Sequence, residues 1–135
     1  MISDDTGLRE LLASASTIAV VGASPKPWRD SGSIAQYLAG KGYRVYPVNP
    51  KYREVLGMHC YPDLKSVPAK IDIVDVFRRP EEVETVVEEA IAVGAKALWL
   101  QLGVVNEEAA AKAEAAGLKV VMDRCIAIEH RALMR

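Results

Sequence analysis

Thr17-Ile18-Ala19-Val20-Val21-Gly22-Ala23-Ser24 decides the fold. Five residues in a row carry no charge and are mostly β-branched or small, and a glycine follows at once. A continuous apolar run of that length suits a strand buried on both faces, as in a parallel sheet. Gly22 then permits a tight turn at the strand's carboxyl end, where a side chain would obstruct the backbone.

The same alternation continues outward. Upstream, Thr6 to Ala15 reads as a short helix with Leu8, Leu11 and Leu12 on one face. Downstream, Ser31 to Ala39 is helical, with Ile34, Ala35 and Leu38 at helical spacing. Tyr43 to Val48 is a second strand stopped by Asn49-Pro50, and Pro47 within it requires an edge-facing nitrogen or a strand end. Asp63 to Val67 fits one helical turn. Ile71 to Phe77 is a third strand. Pro80 opens a helix, where its missing N–H matters least, and Val83, Val86, Val87, Ala90 and Ile91 form the buried stripe. Ala97 to Leu100 is the fourth strand. Asn106 caps a helix running to Ala116, Leu118 to Met122 is the fifth strand, and Ile126 to Met134 is a last helix. Five strands separated by helices over short connections predict one doubly wound, Rossmann-like α/β domain spanning residues 1–135, a parallel sheet with helices on both faces. No internal repeat or linker divides it.

Composition narrows the function. The chain has 135 residues and a net charge of −1, with both signs interspersed. That disfavours a nucleic-acid surface or a polybasic membrane patch. No apolar run approaches the roughly 18–20 residues that cross a bilayer. The start, Met1-Ile2-Ser3-Asp4-Asp5, has no basic segment of a signal peptide, so the expected compartment is the cytosol. Cys60 and Cys125 make no disulfide framework or metal set and are expected as reduced thiols.

In open parallel sheets ligands bind beyond the carboxyl ends of the strands. The segments there are Gly22 to Gly32, Asn49-Pro50-Lys51, Arg78-Arg79-Pro80, Gln101-Leu102-Gly103 and Asp123-Arg124-Cys125. Four of the five carry a cation, which suits a phosphorylated ligand. In the first, Gly22, Ala23 and Ser24 begin as a dinucleotide loop begins, and helix amides after it can hold a phosphate. The full G-x-G-x-x-G is absent, and a longer loop with Lys26, Trp28, Arg29 and Ser31 replaces it. Trp28 either packs on the sheet edge or meets the ligand. At the second strand end an NAD domain carries an acid for the ribose hydroxyls. Here Asn49, Pro50 and Lys51 supply none, and a lysine suits a ribose phosphate. NADP and coenzyme A both carry one; NAD and FAD are disfavoured.

Several segments together resemble one family. They are Val21 to Ser24, Pro47 to Lys51, Val74 to Arg78, Ala95 to Val104 and Val121 to Cys125. The chain resembles small CoA-binding domain proteins, which are similar to the N-terminal domain of the succinyl-CoA synthetase alpha subunit. Ile126 departs from the pattern, which has proline there, and leaves the start of the last helix open. The resemblance implies coenzyme A or an acyl-CoA as ligand. It implies the pyrophosphate over Gly22 to Ser31, and the adenine and 3′-phosphoribose beside Asn49, Pro50 and Lys51. Phe77 and Arg78 would line the adenine or pantetheine side, and Gln101, Leu102 and Gly103 the pantetheine path. The synthetase keeps its phosphorylated histidine in a second domain, so the expectation is binding of CoA without chemistry by this chain alone.

Other readings stay open. His59 and His130 form no triad with a serine and an acid. Cys125, after a strand, beside Arg124 and near a helix start, is either a small packing residue or a thiol able to pair with that of CoA. An NADP-binding reductase fragment shares the Lys51 argument but lacks the glycines. A regulatory or scaffold subunit that senses CoA and recruits an unidentified protein partner would show an exposed apolar patch.

Overall fold

The computed structural model describes residues 1–135. Five parallel strands form one sheet: β1 (Thr17–Val21), β2 (Arg44–Val48), β5 (Ile73–Val76), β6 (Ala97–Leu100) and β7 (Lys119–Val121). Their order is β2-β1-β5-β6-β7, so the predicted Rossmann-like, doubly wound α/β sheet is present. Every residue of β1, β5 and β6 is buried, as their mostly apolar runs predict, with Asp75 the one charged residue among them.

Helices cover both faces. α1 (Asp5–Ser14), α2 (Asp30–Gly40) and α5 (Ile126–Leu133) pack on one side, with Leu8, Leu12, Ile34, Leu38 and Ile126 against Ile18, Val20, Ile73 and Trp99. α3 (Val83–Ala92) and α4 (Glu107–Ala115) pack on the other, with Val83, Val87, Ala109 and Ala113 against Ala19, Val74, Val76, Leu98 and Val120. Asp4 caps α1 by accepting from Gly7 N at 3.2 Å, and Asn106 caps α4 by accepting from Ala109 N at 3.0 Å. Asp72 ties two strand starts together, accepting from Ser16 N at 2.7 Å and Thr17 N at 3.2 Å. Burial works to raise its pKa, but these bonds and Lys96 bring it below the ordinary value.

Pro47 sits in an edge strand. Its carbonyl accepts from Tyr61 N at 2.9 Å on the outer side. A strand residue's nitrogen and carbonyl point the same way, so the missing N–H faces the outer edge.

Two local differences from the sequence reading have physical causes. A two-stranded hairpin, β3 (Glu54–Val55) and β4 (Met58–His59), lies between the second strand and the Asp63 turn, where the sequence signals no element, and His59 pairs with Glu54 within it. Its turn takes positive φ at Leu56 (48°) and Gly57 (85°), and leucine is not a residue that signals such a turn. Pro80 opens a 3-10 turn (Pro80–Glu82) before α3 begins at Val83. The isoleucine at 126 does not delay α5, which starts there with Cys125 as its cap residue.

Candidate functional site

The strand order reverses direction between β1 and β5. β2 lies on one side of β1, and the chain then returns to place β5 on the other. Loops leaving the carboxyl ends of these two strands must part, which opens a crevice. Gly22 and Phe77 stand at that point. Gly22 N donates to Val48 O at 2.8 Å and Phe77 N to Val21 O at 2.8 Å. Gly22 has φ of 89°, and a Cβ there would lie 2.1 Å from Phe77 O. No other residue type fits that backbone passage.

A cleft of about 910 Å³ opens above this point. Of the residues singled out in the sequence, Gly22, Ser24, Lys26, Trp28, Arg29, Ser31, Asn49, Lys51, Phe77, Arg78, Gln101, Leu102 and Gly103 line it together. Ala23 and Pro50 are outside the lining. Ala23 is fully buried, and Pro50 is exposed on the flank of its loop.

Internal hydrogen bonds set the cleft's shape. Ser24 N donates to Ser31 Oγ at 2.9 Å, folding the first loop onto α2. Gly32 makes this approach possible, since a Cβ there would meet Ser24 O at 2.4 Å. Asn49 is a strut: its Nδ2 donates to Ala23 O at 2.9 Å and its Oδ1 accepts from Lys51 N at 3.0 Å. It fixes the loop that carries Lys51 to the loop after β1. Gly103 N donates to Asp123 Oδ1 at 2.7 Å, pinning the loop after β6 to the one after β7.

The electrostatics are one-sided. Five cations line the cleft against two acids, Asp30 and Glu82. Arg79 is paired with Glu82 at 3.2 Å, which holds that carboxyl below its ordinary pKa. Lys26, Arg29, Lys51 and Arg78 have no ion-pair partner; Lys26 Nζ instead lies 5.5 Å from the centre of the Trp28 ring. The first turn of α2 also lacks a side-chain cap, because Arg29 in the cap position makes no such bond. Uncapped amides beside a cleft rich in cations have the chemistry to hold an anion.

Some sequence inferences shift in place. Arg124, counted among the cations of this edge, turns away: its guanidinium binds Glu129 Oε1 at 2.7 Å and Ser3 O at 2.9 Å. Trp28 is 72% exposed at the cleft's rim and does not pack on the sheet. Cys125 is half-buried and lines the cleft; Cys60 is buried elsewhere, its thiol pKa pushed up by that burial. His130 bonds Tyr37 through Nδ1 at 2.8 Å, far from the cleft lining. Tyr52, Val104 and Ile128 also line the cleft without having been singled out. For Ile128 the available signal is an apolar residue on the outward face of α5, where it is 54% exposed.

Three proteins are similar to this chain, two in sequence and one in sequence and structure. The uncharacterized protein YneT of Bacillus subtilis is 41% identical over 123 residues, covering 91% of each chain. A hypothetical protein from Pyrococcus horikoshii is 48% identical, with a TM-score of 0.95 over 98% of this chain and 94% of that one. The ADP-forming acetate–CoA ligase I of Archaeoglobus fulgidus is 32% identical over 119 residues; the match covers 81% of this chain and only 17% of the ligase. The sequence model of the CoA binding domain matches residues 16–131. With its cleft at the β1–β5 switch point, this chain belongs to the CoA-binding domain family.

Proposed function

We propose that this protein binds coenzyme A in the cleft above Gly22 and holds it without transforming it. The observation that carries the reading is the conjunction at the switch point: a backbone passage that admits only glycine, an uncapped helix start, and four unpaired cations. The pyrophosphate lies over the loop from Gly22 to Ser31, within reach of Lys26 and Arg29. Lys51 faces the 3′-phosphate at the end of β2, where no acid competes. Asn49 positions Lys51 rather than touching the ligand. Phe77 and Arg78 border the middle of the molecule, and Gln101, Leu102 and Gly103 the pantetheine arm.

Thermal unfolding with added ligand tests this, because a ligand that binds only the native state stabilises it by about 2.7 kcal/mol at a hundredfold excess over Kd. CoA raises Tm by several degrees, dephospho-CoA raises it less, and NAD leaves it unchanged. Lys51→Ala weakens CoA by about tenfold and dephospho-CoA hardly at all. Stabilisation by NADP with none by CoA overturns the reading, and equal losses for the two CoA forms remove the role of Lys51.

A further inference from the structure

The cleft has two unlike ends. Its charged lining residues all come from the segments after β1, β2 and β5. The loops after β6 and β7, and α5, contribute none. What they contribute is Leu102, 65% exposed, and Ile128, 54% exposed, with Val104 and Cys125 beside them. Large exposed apolar side chains at an end of the cleft whose lining carries no charged residue are matched to an apolar group.

One polar side chain interrupts this surface. Gln101 is 4% exposed, and its Oε1 accepts from Ile126 N, the first amide of α5, at 3.0 Å. A backbone N–H only donates, so this bond identifies the oxygen of the amide and sends the NH₂ group to the other side. That Nε2 makes no hydrogen bond within the chain, yet it is not among the sealed, partnerless atoms. It therefore opens on the cleft the residue lines. A buried amide donor, held in orientation and unpartnered, provides for a carbonyl oxygen.

We propose that this end of the cleft receives the acyl group of an acyl-CoA, and that it selects uncharged aliphatic acyl groups over carboxylated ones. Gln101 Nε2 donates to the thioester carbonyl, and Leu102 and Ile128 cover the chain. The inference rests on the CoA reading above, which places the phosphates at the charged end and so sends the thiol to this one. A terminal carboxylate here meets no cation and loses water against Leu102 and Ile128.

Calorimetric titration of the full chain with CoA and with acetyl-, butyryl-, hexanoyl- and succinyl-CoA tests it. Full burial of a methylene is worth about a fourfold gain; on a wall open to solvent at one side, affinity rises by about twofold per methylene from acetyl to hexanoyl. Butyryl- and succinyl-CoA have equal carbon counts, and the first binds more tightly by about tenfold or more. The readout in each variant is the ratio of acyl-CoA to CoA affinity, so a general loss of CoA binding cancels. Ile128→Ser flattens the chain-length series. Gln101→Glu keeps an oxygen for Ile126 N, removes the donors, and lowers the acyl-to-CoA ratio for every chain length. A flat series with CoA bound, or succinyl-CoA binding as well as butyryl-CoA, overturns this proposal alone. Failure of CoA itself to bind overturns the reading beneath it as well.

Discussion

The two layers that sandwich the sheet are built on different principles. The layer beneath α3 and α4 is nearly dry: its core is alanine, valine, leucine and isoleucine, and the buried polar side chain that strand alternation adds to this face, Thr17, donates its hydroxyl to Lys70 O at 2.7 Å at the strand start. The layer beneath α1, α2 and α5 carries polar atoms inside. Asp75 is fully buried between Val20 and Trp99 in register. Trp99 Nε1 donates to Arg124 O at 2.8 Å, Tyr43 OH to Leu12 O at 2.6 Å, and His130 meets Tyr37. α2 and α5, whose first turns contribute to the cleft lining, both belong to this second layer. The dry layer is a scaffold that any well-packed aliphatic set serves. The polar layer adds directional bonds to the helices that border the cleft, one joining α2 to α5 and one holding the segment before α5.

The largest expected effect tests the dry layer. Leu98 is fully buried on that face of β6. Leu98→Ala removes apolar contact and leaves a cavity without disturbing a polar atom, for a loss of about 2–5 kcal/mol. Urea unfolding at several pH values should show the same loss at each. A loss that varies with pH would mean that the two layers are not independent.

The next effect has the opposite sign and arises in the polar layer. Neither carboxylate oxygen of Asp75 has a hydrogen-bond partner, and burial raises its pKa well above the ordinary value. Below about pH 3.8 the group is neutral folded or unfolded and contributes nothing to pH dependence. As pH rises past that value the unfolded chain releases the proton while the folded one retains it, so stability falls until the folded pKa is reached. Each pH unit of that window removes about 1.4 kcal/mol. Asp75→Asn is close in shape and does not titrate. It should be more stable than the wild type at pH 7 and match it near pH 3.5. A variant less stable than wild type at pH 7 would show that Asp75 has a partner that the native protein uses.

The same contrast explains what the sequence made legible. Aliphatic layers announce themselves: Thr17 to Val21 and Ala97 to Leu100 read as buried strands because burial on both faces leaves no polar position to confuse the period. The position of the cleft was legible too, because the glycine after β1 and the rule for open sheets need only local sequence. Directional bonds were not. Nothing near Gln101 says that it caps a helix 25 residues on, nothing near Asn49 says that it spans to Ala23, and Arg124 looks like a site cation until Ser3 and Glu129 take it. The β3–β4 hairpin was hidden for another reason, a left-handed leucine at its turn.

The smallest effect is also the finest probe of the polar layer. His130 is buried in the last turn of α5 and joined to Tyr37 of α2. Burial lowers its pKa, and Lys41 lowers it further. Arg131 adds a second cation close by, 5.0 Å from the Tyr37 ring. The neutral imidazole is therefore the form the fold accepts. Its contribution is fully present above about pH 6.5, the unfolded value, and is lost as pH falls toward the lower folded value, since the unfolded chain then binds a proton that the folded chain refuses. Between pH 7.5 and 5.5 the wild type should lose stability. His130→Gln, which keeps a polar group for Tyr37 but does not titrate, should lose much less over that range, and Leu98→Ala should keep the wild-type slope. An unchanged slope in His130→Gln would place the pH sensitivity elsewhere and leave the α2–α5 joint with a purely packing role.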